Sequence, residues 1–199
     1  MRKKILITGA GHSGTTFLTE CFEKAGYSVG TAGQKEIHAH EVKDPAKYPT
    51  FPDVAKHGQF PLLLPDFLRQ GLVSPETIQV VILCWRTDVE ELVLALCESD
   101  YMEPWSWTKT VIDAEHSLES WKKSYFAAMG RLQHVLTEFE IPTLHVHFPR
   151  MALDEPYFRA RFQPYLGDQT QKIFLKTADP TRVHRYRVLL HKGTPSSSA

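Results

Sequence analysis

The spacing of hydrophobic and polar positions changes several times along the chain, and each change predicts an element. Residues 4–9, with Ile5, Leu6 and Ile7 in succession, have the length and branched content of a strand. Residues 14–25 then carry Phe17, Leu18, Cys21 and Phe22 at helical spacing, which predicts an amphipathic helix. Residues 27–30 read as a short strand or turn. Residues 32–61 are rich in Gly, Pro, His and Lys and lack long periodicity. Apart from a short extended segment over 36–42, they read as a loop-built surface, where functional groups concentrate. Residues 62–71 predict a short helix stopped by Gly71, and 77–85 form a continuous apolar run expected of a strand buried on both faces. Further along, the pattern predicts a helix over 89–98, an aromatic loop over 101–107 and helical spacing through 113–140. A strand over 142–148, a helix over 155–166 and a strand fragment over 173–176 follow, then a basic segment over 182–190. Strands alternating with helices predict one three-layer α/β domain over residues 1–190, with a central parallel sheet flanked by helices and ligands at the carboxyl ends of the strands. Residues 191–199, rich in serine, read as a flexible tail.

Composition narrows the partners. The chain has 199 residues, 42% of them hydrophobic and 23% charged, enough for one domain with a full core. Lysine plus arginine, 23, balances aspartate plus glutamate, 23, so no bulk field attracts nucleic acid or an acidic membrane, and any anion site must be local. The apolar runs are too short to cross a bilayer, and Met1-Arg2-Lys3-Lys4 leads into a strand and not a cleavable signal, which predicts a cytoplasmic protein. Cys21, Cys84 and Cys97 are odd in number and sit in apolar patterns, as reduced packing thiols do.

Gly9-Ala10-Gly11-His12-Ser13-Gly14-Thr15-Thr16 stands directly between the first strand and the first helix. Glycines there let successive N–H groups turn inward, and the helix adds its positive end, which together cradle a phosphate or sulfate. The run fits the Gly-x-x-x-x-Gly frame of nucleoside triphosphatases but has Thr15 in place of their lysine, so a triphosphate fits less well. Two later apolar stretches run into Arg86 and into Pro149-Arg150, and neither delivers an acid where magnesium would be held. An anion cradle faced by cations predicts a polyanionic donor bound without a metal.

The strand followed by His12-Ser13-Gly14-Thr15-Thr16-Phe17-Leu18 resembles the phosphosulfate-binding loop of the sulfotransferase family. The resemblance implies a three-layer, P-loop NTPase-like fold that uses 3′-phosphoadenylyl sulfate (PAPS) with no metal. It places the donor on Gly11, His12, Ser13, Gly14, Thr15, Thr16 and Arg86, with His12 where the family usually has lysine or arginine. A buried strand ending in arginine and leading into a helix is similar to the family's second element, whose arginine and a later serine hold the 3′-phosphate. Counting eight on from Arg86 lands on Leu94, and the usual Asp/Asn-Pro is Thr87-Asp88. The layout from Trp121-Lys122-Lys123-Ser124-Tyr125 onward is similar to the family's carboxyl half, and His191-Lys192-Gly193 is similar to a terminal basic-glycine element.

Sulfuryl transfer needs donors on the sulfuryl oxygens, a cation near the bridging oxygen and a base for the acceptor's proton. The loop amides, with the Ser13, Thr15 and Thr16 hydroxyls, supply the first, and His12 is the candidate for the second. For the third, Lys35-Glu36-Ile37-His38-Ala39-His40-Glu41 resembles the setting of the family's glutamate base. In an extended segment Glu36, His38 and His40 share one face, so Glu36 is the first candidate base, His38 the second and Glu41 the third. His38 and His40 read equally as solvated loop residues. The pairs His38-x-His40 and His145-x-His147 have zinc-like alternation, but no carboxylate or cysteine completes a familiar spacing, and no metal is expected. Tyr101, Trp105, Trp107 and Trp121 fit either a wall for a small-molecule or carbohydrate acceptor or core packing. Arg182, Arg185 and Arg187 fit either a solvated edge or a contact to the donor. A small P-loop kinase, with Lys35 replacing the absent lysine, and a non-catalytic nucleotide- or anion-binding protein are the competing functions.

Overall fold

The computed structural model describes residues 3–10, 13–30, 36–86, 88 and 118–181. Four strands form one parallel sheet: β1 (Lys4–Gly9), β2 (Val54–Lys56), β3 (Ile78–Arg86) and β4 (Thr143–Phe148), in the spatial order β2-β1-β3-β4. Helices cover both faces, so the expected α/β layering with a central parallel sheet is observed. The pairing sets Ile7 beside Lys56, Gly9 beside Cys84 and Arg86 beside Phe148. All four strands therefore end at one edge of the sheet.

Side-chain alternation along the strands divides the core in two. Leu6, Ala55, Val81 and Leu83 face α3 (Phe60–Arg69) and the long helix α4 (Leu118–Glu138), meeting Leu64, Leu68, Met129, Leu132 and Leu136. Ion pairs Arg69–Glu138 at 2.9 Å and Arg131–Asp66 tie these two helices at their solvent side. On the other face Ile5, Ile7, Val80, Ile82 and Val146 meet α1 (Thr15–Lys24), α6 (Glu155–Leu166) and α7 (Thr170–Thr177), with Phe22, Phe158, Phe162 and Phe174 at the centre. The β3 run is buried on both faces as expected; only Gln79, at a register shift against Lys4 and Ile5, is exposed.

Three expectations are corrected. Residues 173–176 lie inside α7, because Thr170, Ile173, Phe174 and Thr177 recur at helical spacing and bury one face. The segment 36–42 is not an extended strand: the chain turns at His38 into the short helix α2 (Ala39–Val42), with Glu41 accepting the backbone N–H of His38 at 3.1 Å. The region 32–61 is not all loop, since it contains β2. That strand has only three residues, too few for alternation to be legible. A further short helix, α5 (Arg150–Leu153), follows β4. The expected helix over 89–98, the aromatic loop, Cys97, the basic segment 182–190 and the tail lie outside the described residues.

Two glycines hold the turn after β1 against the sheet. A side chain at Gly9 would meet the Ser13 hydroxyl at 2.5 Å and the Cys84 carbonyl at 2.6 Å. Gly14 has φ +83°, a left-handed conformation that suits glycine, and a methyl there would overlap Met151 and the Phe148 ring. Gly14→Ala is expected to lower unfolding stability by about 2 kcal/mol, from backbone strain plus overlap. Urea unfolding checks this; an unchanged midpoint would contradict the packing described.

Candidate functional site

Between β1 and α1, Ala10 and Ser13 are fixed by their own bonds. Ser13 is fully buried; its N–H and its hydroxyl both donate to the Ala10 carbonyl, at 3.3 and 2.6 Å. That hydroxyl braces the turn, and its proton is not free for the anion contact expected of it. The donors left over are the amides of the first helical turn. Helix α1 starts at Thr15 with Gly14 as its N-cap, and no side chain among the described residues caps it. The N–H groups of Thr15, Thr16 and Phe17 thus point out of the helix end with its positive dipole. Gly11 and His12 lie outside the described residues, as do Lys35 and Leu94.

A cation that sequence reasoning missed completes this end. Lys56, the last residue of β2, donates from Nζ to the Thr16 hydroxyl at 3.2 Å. Its side chain is only 12% exposed, so its ammonium is held beside the helix start and does not wander in solvent. The signal was an apolar pair, Val54-Ala55, running straight into a cation, the pattern that singled out Arg86. Arg86 ends β3 at the same sheet edge, is 7% exposed and lays its guanidinium over the Phe148 ring at 5.6 Å.

Glu36 joins the group from the other side. Its carboxylate lies 3.3 Å from Lys56 Nζ and 4.0 Å from His57 Nε2, while the neighbouring amide of Ile37 donates to the Lys56 carbonyl at 3.3 Å. That backbone bond, with the fully buried Ile37 side chain beneath it, places Glu36 at the end of β2. The expected alignment of Glu36, His38 and His40 on one strand face is overturned by the helical turn. His38 and His40 instead stack on each other, ring centres 5.4 Å apart, and Glu41 is occupied in capping α2. Of the three candidate bases, only Glu36 has a described contact with the Lys56 group, and its side chain remains 41% exposed.

His57 is the second residue that the sequence did not reveal. Its Nδ1 accepts the Gln59 amide at 3.0 Å, so the neutral ring carries its proton on Nε2, the atom facing Glu36. Burial pushes its pKa below 6.5, against the opposing pull of the Glu36 carboxylate. In this tautomer His57 is a donor toward Glu36 and not itself a base. The Thr8 hydroxyl donates to the His57 carbonyl at 2.9 Å and locks the ends of β1 and β2 together.

The other histidine pair is separate. His145 accepts the Trp85 indole N–H on Nδ1 at 2.9 Å, and burial, then the neighbouring His147, lowers its pKa. Among the described residues no three His, Cys, Asp or Glu side chains converge as metal ligands would. Trp121 lies in α4, and Trp105 and Trp107 lie outside the described residues. No family model, curated protein or solved structure matches the chain, so the site is read from its geometry alone.

The lowered pKa of His57 has a stability consequence. Between the folded and unfolded values the unfolded chain binds more protons, so stability falls as pH drops below 6.5. His57→Asn keeps an acceptor for the Gln59 amide and removes the titration. Melting temperatures at pH 7.5 and 5.5 should differ less in this variant than in the parent, with His145 supplying the remaining dependence. An equal acid loss in both proteins would contradict the burial of a neutral His57.

Proposed function

We propose that the chain is a sulfotransferase that binds 3′-phosphoadenylyl sulfate at the turn 9–16 and transfers its sulfuryl group to a hydroxyl or amine acceptor. The observation that carries this reading is the Lys56 ammonium held 3.2 Å from Thr16 at the start of α1, which no described side chain caps. It supplies the cation that the turn lacks, in the role the sequence gave to His12. The parallel α/β sheet, with the turn at the carboxyl end of β1, supports a P-loop NTPase-like fold for it. Strands β2 and β3 end in Lys56 and Arg86, which suits a polyanionic donor held by cations rather than through a magnesium-binding strand-end acid.

The roles follow from position. Amides of Thr15, Thr16 and Phe17 bind the donor's oxyanion, and Lys56 meets the negative charge that grows on the bridging oxygen. The acceptor oxygen or nitrogen attacks sulfur, the bond from sulfur to the bridging oxygen breaks, and Glu36 takes the acceptor's proton. His57 Nε2–H faces that carboxylate and orients it. Arg86 meets the 3′-phosphate. Small-molecule or carbohydrate acceptors suit the balanced net charge, which offers no field for nucleic acid. The buried free thiols of Cys21, raised to about 12 by burial, and Cys84, raised further, support a reducing compartment, the cytoplasm. No described helix is long and apolar enough to cross a membrane.

Lys56 also favours a second reading. A lysine delivered from β2 to the turn can replace the one absent at Thr15, as a small-molecule kinase would need. Calorimetry separates the two. Sulfuryl transfer predicts that adenosine 3′,5′-bisphosphate binds without magnesium and more tightly than ATP; magnesium-dependent ATP binding with a weak bisphosphate would favour the kinase. On the first reading Lys56→Ala weakens the bisphosphate at least about tenfold, as loss of a charge-assisted contact does. Glu36→Gln, which frees Lys56 from its carboxylate partner, does not weaken that affinity and lowers PAPS turnover about 100-fold. Unchanged turnover would remove Glu36 from the role of base.

A further inference from the structure

The two carboxylate oxygens of Glu36 are met by two different nitrogens: Lys56 Nζ lies 3.3 Å from Oε2, and His57 Nε2 lies 4.0 Å from Oε1. The two contacts are unequal. Lys56 is a full charge at ion-pair distance, whereas the neutral imidazole faces Glu36 across a gap too long for a hydrogen bond. The charge on His57 decides how the carboxylate is shared. In the neutral ring Nδ1 accepts the Gln59 N–H at 3.0 Å. Nε2 already carries a proton, so a second one adds at Nδ1; it ends the Gln59 bond and turns Nε2–H into a charge-assisted donor able to close on Oε1. Burial opposes that proton, as do the charges of Lys56 and Lys43, while the Glu36 carboxylate favours it. Helix α3 adds only the uncharged Phe60 ring, 6.3 Å away between centres. On its other side Lys56 meets the Thr16 hydroxyl at the start of α1, so one ammonium links the proton on His57 to the turn.

We propose that Lys56, Glu36 and His57 form a proton-linked switch on the anion turn. A proton on His57 takes Glu36 away from Lys56 and turns the ammonium to the oxyanion; an oxyanion that takes Lys56 draws a proton from solvent onto His57. Glu36 is the shared element, and its partly exposed side chain has room to shift between the two nitrogens. Acid therefore tightens anion binding and engages the carboxylate at the same time. Resting on the sulfuryl-transfer reading, the consequence is regulation of that site: as pH falls the donor is held more tightly and turned over more slowly, because imidazolium occupies Glu36 when the acceptor's proton has to be taken.

The probe is sulfate, which keeps both its charges between pH 7.5 and 5.0 and adds no titration of its own, compared with chloride at equal ionic strength. Histidine 13Cε1 signals of the full-length protein, with His57 assigned through His57→Asn, follow the proton. Without sulfate, Lys56→Met should raise the His57 midpoint and Glu36→Gln should lower it. Sulfate affinity, read at the Thr16 amide, should gain from acidification about fivefold more in the parent than in His57→Asn, the low end of ordinary coupling between sites. Comparing the two proteins cancels any titration of His12. By reciprocity, sulfate should make the His57 proton bind about fivefold more tightly, and should move that midpoint less in Glu36→Gln. A midpoint indifferent to sulfate, or moved equally in the parent and Glu36→Gln, would overturn the switch; if adenosine 3′,5′-bisphosphate nonetheless binds without metal, the sulfuryl-transfer reading stands without it. A sulfate-linked His57 in a protein that ignores the bisphosphate supports the switch and overturns its place in sulfuryl transfer.

Discussion

The parallel register between β1 and its two neighbours is the constraint on which the site depends. Ile7 beside Lys56 and Gly9 beside Cys84 bring Lys56, the start of the glycine turn and Arg86 to one edge of the sheet. A slip of one residue in β2 would reverse its faces, send the Lys56 side chain to the other side and bury it against the wrong core. The register is protected on both sides. Val54 and Ala55 are fully buried in opposite core clusters, and the Thr8 hydroxyl pins the His57 carbonyl.

A consequence of that placement is a linked charge arrangement beside the turn. Lys56 divides its ammonium between the Thr16 hydroxyl and the Glu36 carboxylate, and Glu36 faces the proton on His57. Lys56 and Glu36 thus stand as opposite charges 3.3 Å apart beside the helix start. On the sulfuryl-transfer reading, an incoming oxyanion competes with Glu36 for Lys56, and the carboxylate is released toward the acceptor as the ammonium turns to the donor.

Much of the scaffold was legible because its signals are long. The β3 run, the α1 pattern of Phe17, Leu18, Cys21 and Phe22, and residues 155–166 of α6 each span enough positions for their period to show. The glycine turn was legible from its chemistry, and Glu36 from its lysine-glutamate setting. Lys56 and His57 were not, because β2 is three residues long and its neighbours include prolines and polar residues that read as loop. Their importance comes from pairing with β1, some fifty residues away, which no local window contains. His38 and His40 misled for the reverse reason. Alternation suggested a strand face, but Glu41 three residues after His38 made a helix cap, and the cap prevailed. Residues 173–176 misled similarly: the three apolar positions Ile173, Phe174 and Leu175 fit a strand until Thr170 and Thr177 extend them to a helical face.

On the sulfuryl-transfer reading, the amides opening α1 hold an oxyanion with Lys56 beside them. Amide proton and nitrogen shifts of a 15N-labelled sample, recorded while adenosine 3′,5′-bisphosphate is added without metal, test it most directly. The largest downfield amide shifts should fall on Thr15, Thr16 and Phe17 and shrink together in Lys56→Ala. Shifts concentrated elsewhere on the chain, with these three amides unmoved at saturation, would contradict it.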